Sequence, residues 1–296
     1  MVSVVSGPFQ LGDLPALAEP TVAIGRRSTD CGAMNQNAQY SDATRDSLQR
    51  IFGKGFTSPG GREEMARLLD GLDLTGQTVM DLGCGLGGDS LLLGGPFGAG
   101  KVVSVDVDPG NLDVTGRAVR EAGLEDVIAP TLVDPGPMPF PDGSFDVVHS
   151  KAMICHIQDK AALFSEVQRV LRPGGSFVAA DWMTGPGEIL SQSYNDFAND
   201  LADAGLIFFF QTAAEHENAL QTAGFAEIAL EDASPHILNY AQALLDRVAG
   251  EAEADLRATL GEEGYAGILR RSRGRVDALA SGDLQFQYIR AKTGTA

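Results

Sequence analysis

Two hydrophobic rhythms alternate along the chain. Short apolar runs, "QTVMDLG", "KVVSVDVD", "VIAPTLVD", "SFDVVHSKA" and "SFVAADW", read as five β-strands. Between them, "GNLDVTGRAVREAGL" and "DKAALFSEVQRVL" carry apolar residues at helical spacing. The second puts Leu163, Phe164, Val167, Val170 and Leu171 on one face, with Asp159 as cap and Pro173-Gly174-Gly175 as stop. Upstream, "SDATRDSLQRIFG" predicts a short helix with Ser41 as N-cap and Leu48, Ile51 and Phe52 on one face. "PGGREEMARLLDGL" predicts another, with Met65, Leu68 and Leu69 apolar. Downstream, "AAEHENALQTAGF" is helical, and "AEIALED" and "LQFQYIRAK" are two further strands. Strands alternating with helices predict an α/β fold, a mostly parallel sheet covered on both faces.

The same rhythm divides the chain. Residues 1–35 hold no sustained period and read as a loose arm. Residues 36–296 read as one domain, with N-terminal lid helices (41–71), a core (75–182) and two helical inserts (183–213 and 236–283). Inserts beyond strand carboxyl ends are where α/β proteins build substrate pockets.

Composition narrows the partners. Of 296 residues, 40 are acidic and 22 basic, a net charge of −18. Such a field repels phosphate backbones and anionic lipid, which argues against nucleic acid and membrane and says nothing about small ligands. Cys31, Cys84 and Cys155 have neither disulfide nor metal-ligand spacing, so no metal is expected. The N-terminus lacks a basic start and a continuous apolar core, unlike a signal peptide, so the expected compartment is cytoplasmic. Exchange of the arm between subunits offers a route to a homo-oligomer.

The candidate chemistry begins at "DLGCGLGGDS". Gly83, Gly85 and Gly88 form a G-x-G-x-x-G turn, where a ligand touches backbone. A dinucleotide and S-adenosylmethionine compete for such a turn. Asp81 stands two residues before the first glycine, which suits a cationic amine better than a pyrophosphate. Asp106 ends the next strand and can accept from ribose hydroxyls. Asp134 ends the third and can accept from the adenine amine.

In order, DLGCGLGG, SVDVD, the acid before MPF, FDVV and LRPGG resemble the class I S-adenosylmethionine-dependent methyltransferases over residues 40–293. The resemblance implies a Rossmann-like seven-stranded sheet with a reversed final strand, and S-adenosyl-L-homocysteine as product. "QYSDATRDSLQRIFGKGFTSPGG" with "SKAMICHIQDK" is similar to a narrower group, the phosphoethanolamine and sarcosine/dimethylglycine methyltransferases. That likeness implies a catalytic pair at Tyr40 and His156, with cofactor contacts at Ser58, Val107 and Lys151 besides the residues above. Standing alone, His156 would read as a loop histidine beside a helix cap. His149 reads as a strand-packing residue, and His216 and His236 as surface or boundary residues.

The likeness breaks where phosphate would bind. Leu206 and Phe208 stand where that group carries Arg and Tyr, Leu48 replaces a tyrosine, and Ala152 an aspartate. With Phe210 and Trp182 they predict an apolar or aromatic pocket. The basic stretch Arg270 to Arg275 is another source of cations. The expected function is methyl transfer to a small apolar, aromatic or isoprenoid acceptor at N, O or C, of the kind met in secondary metabolism. The alternatives are a polar-amine N-methyltransferase, a methyltransferase-fold cyclase, and an NAD-dependent oxidoreductase.

Overall fold

A computed structural model describes residues 42–295. Its centre is a seven-stranded sheet in the order β3-β2-β1-β4-β5-β7-β6. The strands are β1 (Thr78–Leu82), β2 (Lys101–Asp106), β3 (Ile128–Leu132), β4 (Phe145–Lys151), β5 (Leu171–Thr184), β6 (Phe225–Asp232) and β7 (Leu284–Thr293). β1 to β5 pair in parallel, and β7 runs antiparallel between β5 and β6. The reversed final strand expected of the class I fold is therefore present. The strand order turns around between β1 and β4, and a crevice opens beyond the carboxyl ends of such a pair.

Alternation along the strands fills both faces. Val79, Val102, Val147, Val178 and Ala180 belong to one core. Met80, Val103, Val148, Phe177 and Ala179 belong to the other. The first core is closed by α2 (Arg62–Leu68), α3 (Gly88–Gly94), α4 (Pro109–Ala122), α6 (Gln192–Asp203), α8 (Ser234–Val248) and the end of α9 (Glu253–Ser281). The second is closed by α5 (Lys160–Val170) and α7 (Ala213–Thr222). α9 contains a break at Gly261, whose φ of 72° no helix permits. His216 is a correction to the surface assignment: it is fully buried on α7, its ring 6.1 Å from that of Phe164. Its Nδ1 donates to the Thr212 carbonyl.

Helix α1 (Asp42–Phe52), the first of the predicted lid helices, has 11 residues, too few to hold together alone. Tertiary contacts hold it. Ile51 packs with Leu244, Val248, Leu256 and Tyr265 of α8 and α9. Arg45, on the buried side, donates to Asp108 at 2.5 Å and to Asn111 at 2.9 Å, tying the lid to the loop after β2. Ser41, expected as its cap, lies outside the described residues.

The glycines after β1 have separable tasks. A Cβ on Gly83 would meet the Met153 side chain at 2.3 Å, and one on Gly88 the Gly55 carbonyl at 2.6 Å. Gly85 meets only Thr57 Oγ1, at 3.7 Å, so its face is open. Gly88→Ala is expected to destabilise the protein by ~1–3 kcal/mol, because the obstructing atom is backbone and cannot swing away. Urea unfolding, with the midpoint lowered and the slope unchanged, checks it.

Candidate active site

The glycine turn is stitched to β2 from both sides. Gly83 and Cys84 N–H groups donate to the Val105 carbonyl at 2.9 Å. The Gly85 N–H donates to Asp106 Oδ2, also at 2.9 Å. The Asp108 N–H donates to Asp106 Oδ1, which fixes the carboxylate in one orientation. Burial pushes the Asp106 pKa up, while these amide donors pull against it. Val107 is half-buried beside it, and Asp134 is exposed just beyond β3. A turn with an open glycine face and a pre-oriented carboxylate fits the backbone approach and ribose contacts of an adenosyl cofactor. Asp106, Gly85 and the neighbouring amides would hold it.

Two predicted cofactor residues are occupied otherwise. Asp81 is 1% exposed, beneath the turn rather than facing into the crevice. One oxygen accepts from Ser90 at 2.5 Å and the other from His149 Nδ1 at 2.9 Å, while Ser104 donates to Ser90. The expected contact between Asp81 and the amine end of the cofactor is thus replaced by support of the turn from below. His149 packs inside the strand as expected, and is also paired. Lys151, at the end of β4, forms an ion pair with Asp89 of α3 at 2.7 Å and lies 5.0 Å from the Phe56 ring centroid. It is a strut between β4 and α3.

Beyond the turn lies a cavity of about 310 Å³. Four of the predicted acceptor residues line it, Leu48, Trp182, Leu206 and Phe208, together with His156 and Ser58. Thr57 lines it too and is the residue nearest the open face of Gly85, so cavity and turn meet there. Phe210 corrects the prediction. It stacks behind Phe208 at 5.0 Å and packs against Tyr194 at 6.5 Å, one layer back from the cavity. Tyr40 lies outside the described residues. Arg271, Ser272 and Arg275 of α9 complete the far wall, so the cavity does contain cations although its β-side residues supply none.

His156 is held from three directions. It ends a single 3₁₀ turn (Ile154–His156) after β4. The turn hangs on Asp181, a fully buried carboxylate in β5 that accepts from the N–H groups of Met153, Ile154 and Cys155. The chain enters it through Ala152, at a left-handed φ of 50°, a conformation costing an L-residue ~1–2 kcal/mol. His156 Nδ1 donates to the Ile207 carbonyl at 2.7 Å, which leaves the lone pair on Nε2. The Phe208 ring lies 4.4 Å from the imidazole. Burial lowers the His156 pKa, opposed by the Ile207 carbonyl and the Asp181 charge. Lys160 Nζ, itself buried, donates to the carbonyls of Ile157 and Phe209 and so clamps the insert to the turn.

Sequence reasoning missed Asp181, Lys160 and Arg45. A polar residue inside the otherwise apolar run "FVAADW" was the available signal for Asp181. Arg45 stands three residues before Leu48 and seven before Phe52, on the apolar side of a short helix, a spacing that was the available signal for its burial.

Known proteins resemble the chain in sequence and fold. Residues 80–179 match the family model described as Methyltransferase domain. Phosphoethanolamine N-methyltransferase 3 of Arabidopsis thaliana is 30% identical over 258 residues, 86% of this chain and 50% of that one. The chain spans about half the length of the plant phosphoethanolamine relatives it matches. Methyltransferase GfsG of Streptomyces halstedii is 30% identical over 211 residues, 70% of this chain and 72% of that one. A solved structure of Haemonchus contortus phosphoethanolamine N-methyltransferase 2, in complex with phosphomonomethylethanolamine and S-adenosylhomocysteine, superposes with a TM-score of 0.78. Its identity is 26%, over 87% of this chain and 58% of that one. With its strand order, its glycine turn and these relatives, the chain belongs to the class I S-adenosylmethionine-dependent methyltransferases.

Proposed function

We propose that the chain methylates a small acceptor with an apolar or aromatic body, with His156 as base. The observation that carries this reading is the cavity wall, where Leu48, Leu206, Phe208 and Trp182 surround space that His156 also lines. When bound, the cofactor supplies a methyl group already activated by its sulfonium. The protein then has to position, exclude water and take a proton. Positioning supplies most of the acceleration in such a displacement. Asp106 would accept from the ribose hydroxyls, its orientation set in advance by Gly85 and Asp108. α1, tied down through Arg45, covers the cavity and excludes water. Tyr40 is assigned its lid role by resemblance alone.

Proton transfer falls to His156. Its Nδ1–H is committed to Ile207, so Nε2 is the basic atom. Burial disfavours the charged ring and so favours the neutral imidazole that a base requires.

A second reading, a polar-amine acceptor of the phosphobase kind, is favoured by the Arabidopsis relative. Leu48, Ala152, Leu206 and Phe208 count against it, since a phosphate dianion calls for charge-assisted donors, and the cavity's cations, Arg271 and Arg275, stand on the α9 wall instead.

Incubation with methyl-labelled S-adenosylmethionine and a metabolite extract, followed by mass spectrometry of the labelled product, tests the reading directly. An apolar or aromatic product is expected; labelled hydrophilic amines alone would overturn it. Phosphoethanolamine is expected to be neither substrate nor inhibitor, and its steady turnover would move the assignment to the second reading. Asp106→Ala is expected to weaken S-adenosylmethionine binding by ~1.5–3 kcal/mol in calorimetry, the worth of hydrogen bonds to a charged group. His156→Ala is expected to lower turnover by ~10²–10⁴ with cofactor affinity unchanged. The parent's activity should be full where the imidazole is neutral and fall as pH drops through its pKa. Because that pKa is lowered, the acid limb should lie below the ordinary histidine value of about 6.5 and be absent from the mutant.

A further inference from the structure

We infer that the acceptor is an amphipathic carboxylic acid whose carboxylate is held by Arg271 on the α9 wall of the cavity. This rests on the reading of the cavity as the acceptor site. Three observations carry it.

Arg271 is half-buried and lines the cavity, yet among the described residues its guanidinium makes no hydrogen bond and no ion pair. Asp200 on α6 accepts from Arg270 at 2.9 Å through one oxygen, and its charge acts on Arg271 without a hydrogen bond or ion pair. Arg275 is engaged differently, with its guanidinium 5.8 and 5.9 Å from the ring centroids of Phe52 and Trp182. Desolvation pulls the Arg271 pKa down, but a guanidinium stays charged regardless. A charge partly stripped of water and given no bonded partner weakens the fold. A ligand carboxylate would supply that partner.

Space has been left for it. One turn before Arg271 stands Gly267, a buried glycine inside a helix, among the poorest places for that residue. A Cβ there would lie 3.1 Å from Arg271 Nη1. The glycine lets the guanidinium lie back over the α9 backbone while Arg271 still lines the cavity.

The charge expected of the ligand follows from the donors. A planar fork matches one carboxylate in bidentate fashion. The Ser272 hydroxyl, on the same wall, offers one more donor. A phosphate dianion calls for several charged donors at one point; Leu48, Ala152, Leu206 and Phe208 provide none, and the cavity's other cation, Arg275, lies over the Phe52 and Trp182 rings.

Trp182 makes this measurable, because it is the only tryptophan in the sequence and lines the cavity. Fluorescence titrations of the full chain with S-adenosylhomocysteine present would compare hydrocinnamate, hydrocinnamyl alcohol and hydrocinnamyl phosphate. These share an aromatic body and differ in the head group. Hydrocinnamate is expected to bind about tenfold tighter than the alcohol, the usual gain from a charge-assisted pair. Arg271→Gln should abolish the difference and Arg271→Lys restore part of it. Because Arg271 has no bonded protein partner, Arg271→Gln should melt no lower than the parent, which separates lost recognition from lost structure. Equal binding of acid and alcohol would overturn the carboxylate assignment and leave the apolar-acceptor reading standing. So would an acid preference that survives in Arg271→Gln, or tighter binding of the phosphate than of the acid. Failure of all three probes, with S-adenosylhomocysteine binding normally, would overturn both readings.

Discussion

The acceptor side of the molecule depends on one buried charge. Asp181 sits in the middle of the sheet's apolar interior, where an uncompensated carboxylate would cost many kcal/mol. It is tolerated because the N–H groups of Met153, Ile154 and Cys155 point at it, together with that of Trp182 next to it. The reverse dependence matters equally. Those amides belong to a bend that Ala152 enters at a left-handed φ, and a bend of that kind persists only when its surroundings over-determine it. From the bend the connections run outward. His156 reaches the Ile207 carbonyl, Lys160 reaches the Phe209 carbonyl, and the Phe209 N–H returns to Cys155. The segment carrying Leu206 and Phe208 has little regular structure of its own. It is fixed in place by these polar contacts to the turn that Asp181 holds.

The two halves of the site are built on different principles. The cofactor side uses short-range backbone geometry: a strand end, glycines of positive φ, and an acid one strand away whose orientation is set by neighbouring amides. The acceptor side assembles residues from distant stretches, α1 and the segment after it, the turn after β4, β5, α6 and the segment that follows it, and α9. Arg45 links the halves. Its bonds to Asp108 and Asn111 place the helix that covers the acceptor cavity on the loop that follows Asp106. Both partners of the Arg45–Asp108 pair are nearly water-free, so the pair fixes position more than it adds stability.

This division explains what could be read from the sequence. The glycine turn and the alternation of strands with helices were legible because each is a local pattern, and the reversed final strand came with the family resemblance. Leu48, Leu206, Phe208 and Trp182 were placed together through resemblance, and the cavity brings them together. Phe210 was misplaced because two residues apart on an extended segment means the same face, and only the Tyr194 contact shows which of the two is in front. Asp81 and Lys151 were read as open to ligand. Periodicity reports which side of a strand a residue occupies, and it is silent on whether Ser90, His149 or Asp89 has already claimed the charge. The same silence hid His216, buried on α7.

The charge distribution bears on how the two halves meet. With 40 acids to 22 bases, a cation on this protein has an acid within reach almost everywhere. Near the site that holds: Arg45 has Asp108, Lys151 has Asp89, and Arg270 has Asp200. Lys160, with no acid bonded to it, is satisfied by carbonyls. Arg271 differs from these in bonding, since the charge of Asp200 acts on it but no hydrogen bond or ion pair forms, and its setting shows why. It stands against the apolar cavity rather than the acidic surface, where Leu206, Phe208 and Trp182 have nothing to pair with it. The long-range field of the protein repels an anion, but that field is screened within about 8 Å at physiological salt. The guanidinium, half-buried in the cavity, would act at contact distance, where screening is weakest. Selection of an anionic acceptor by one desolvated arginine is thus compatible with a surface that turns away polyanions.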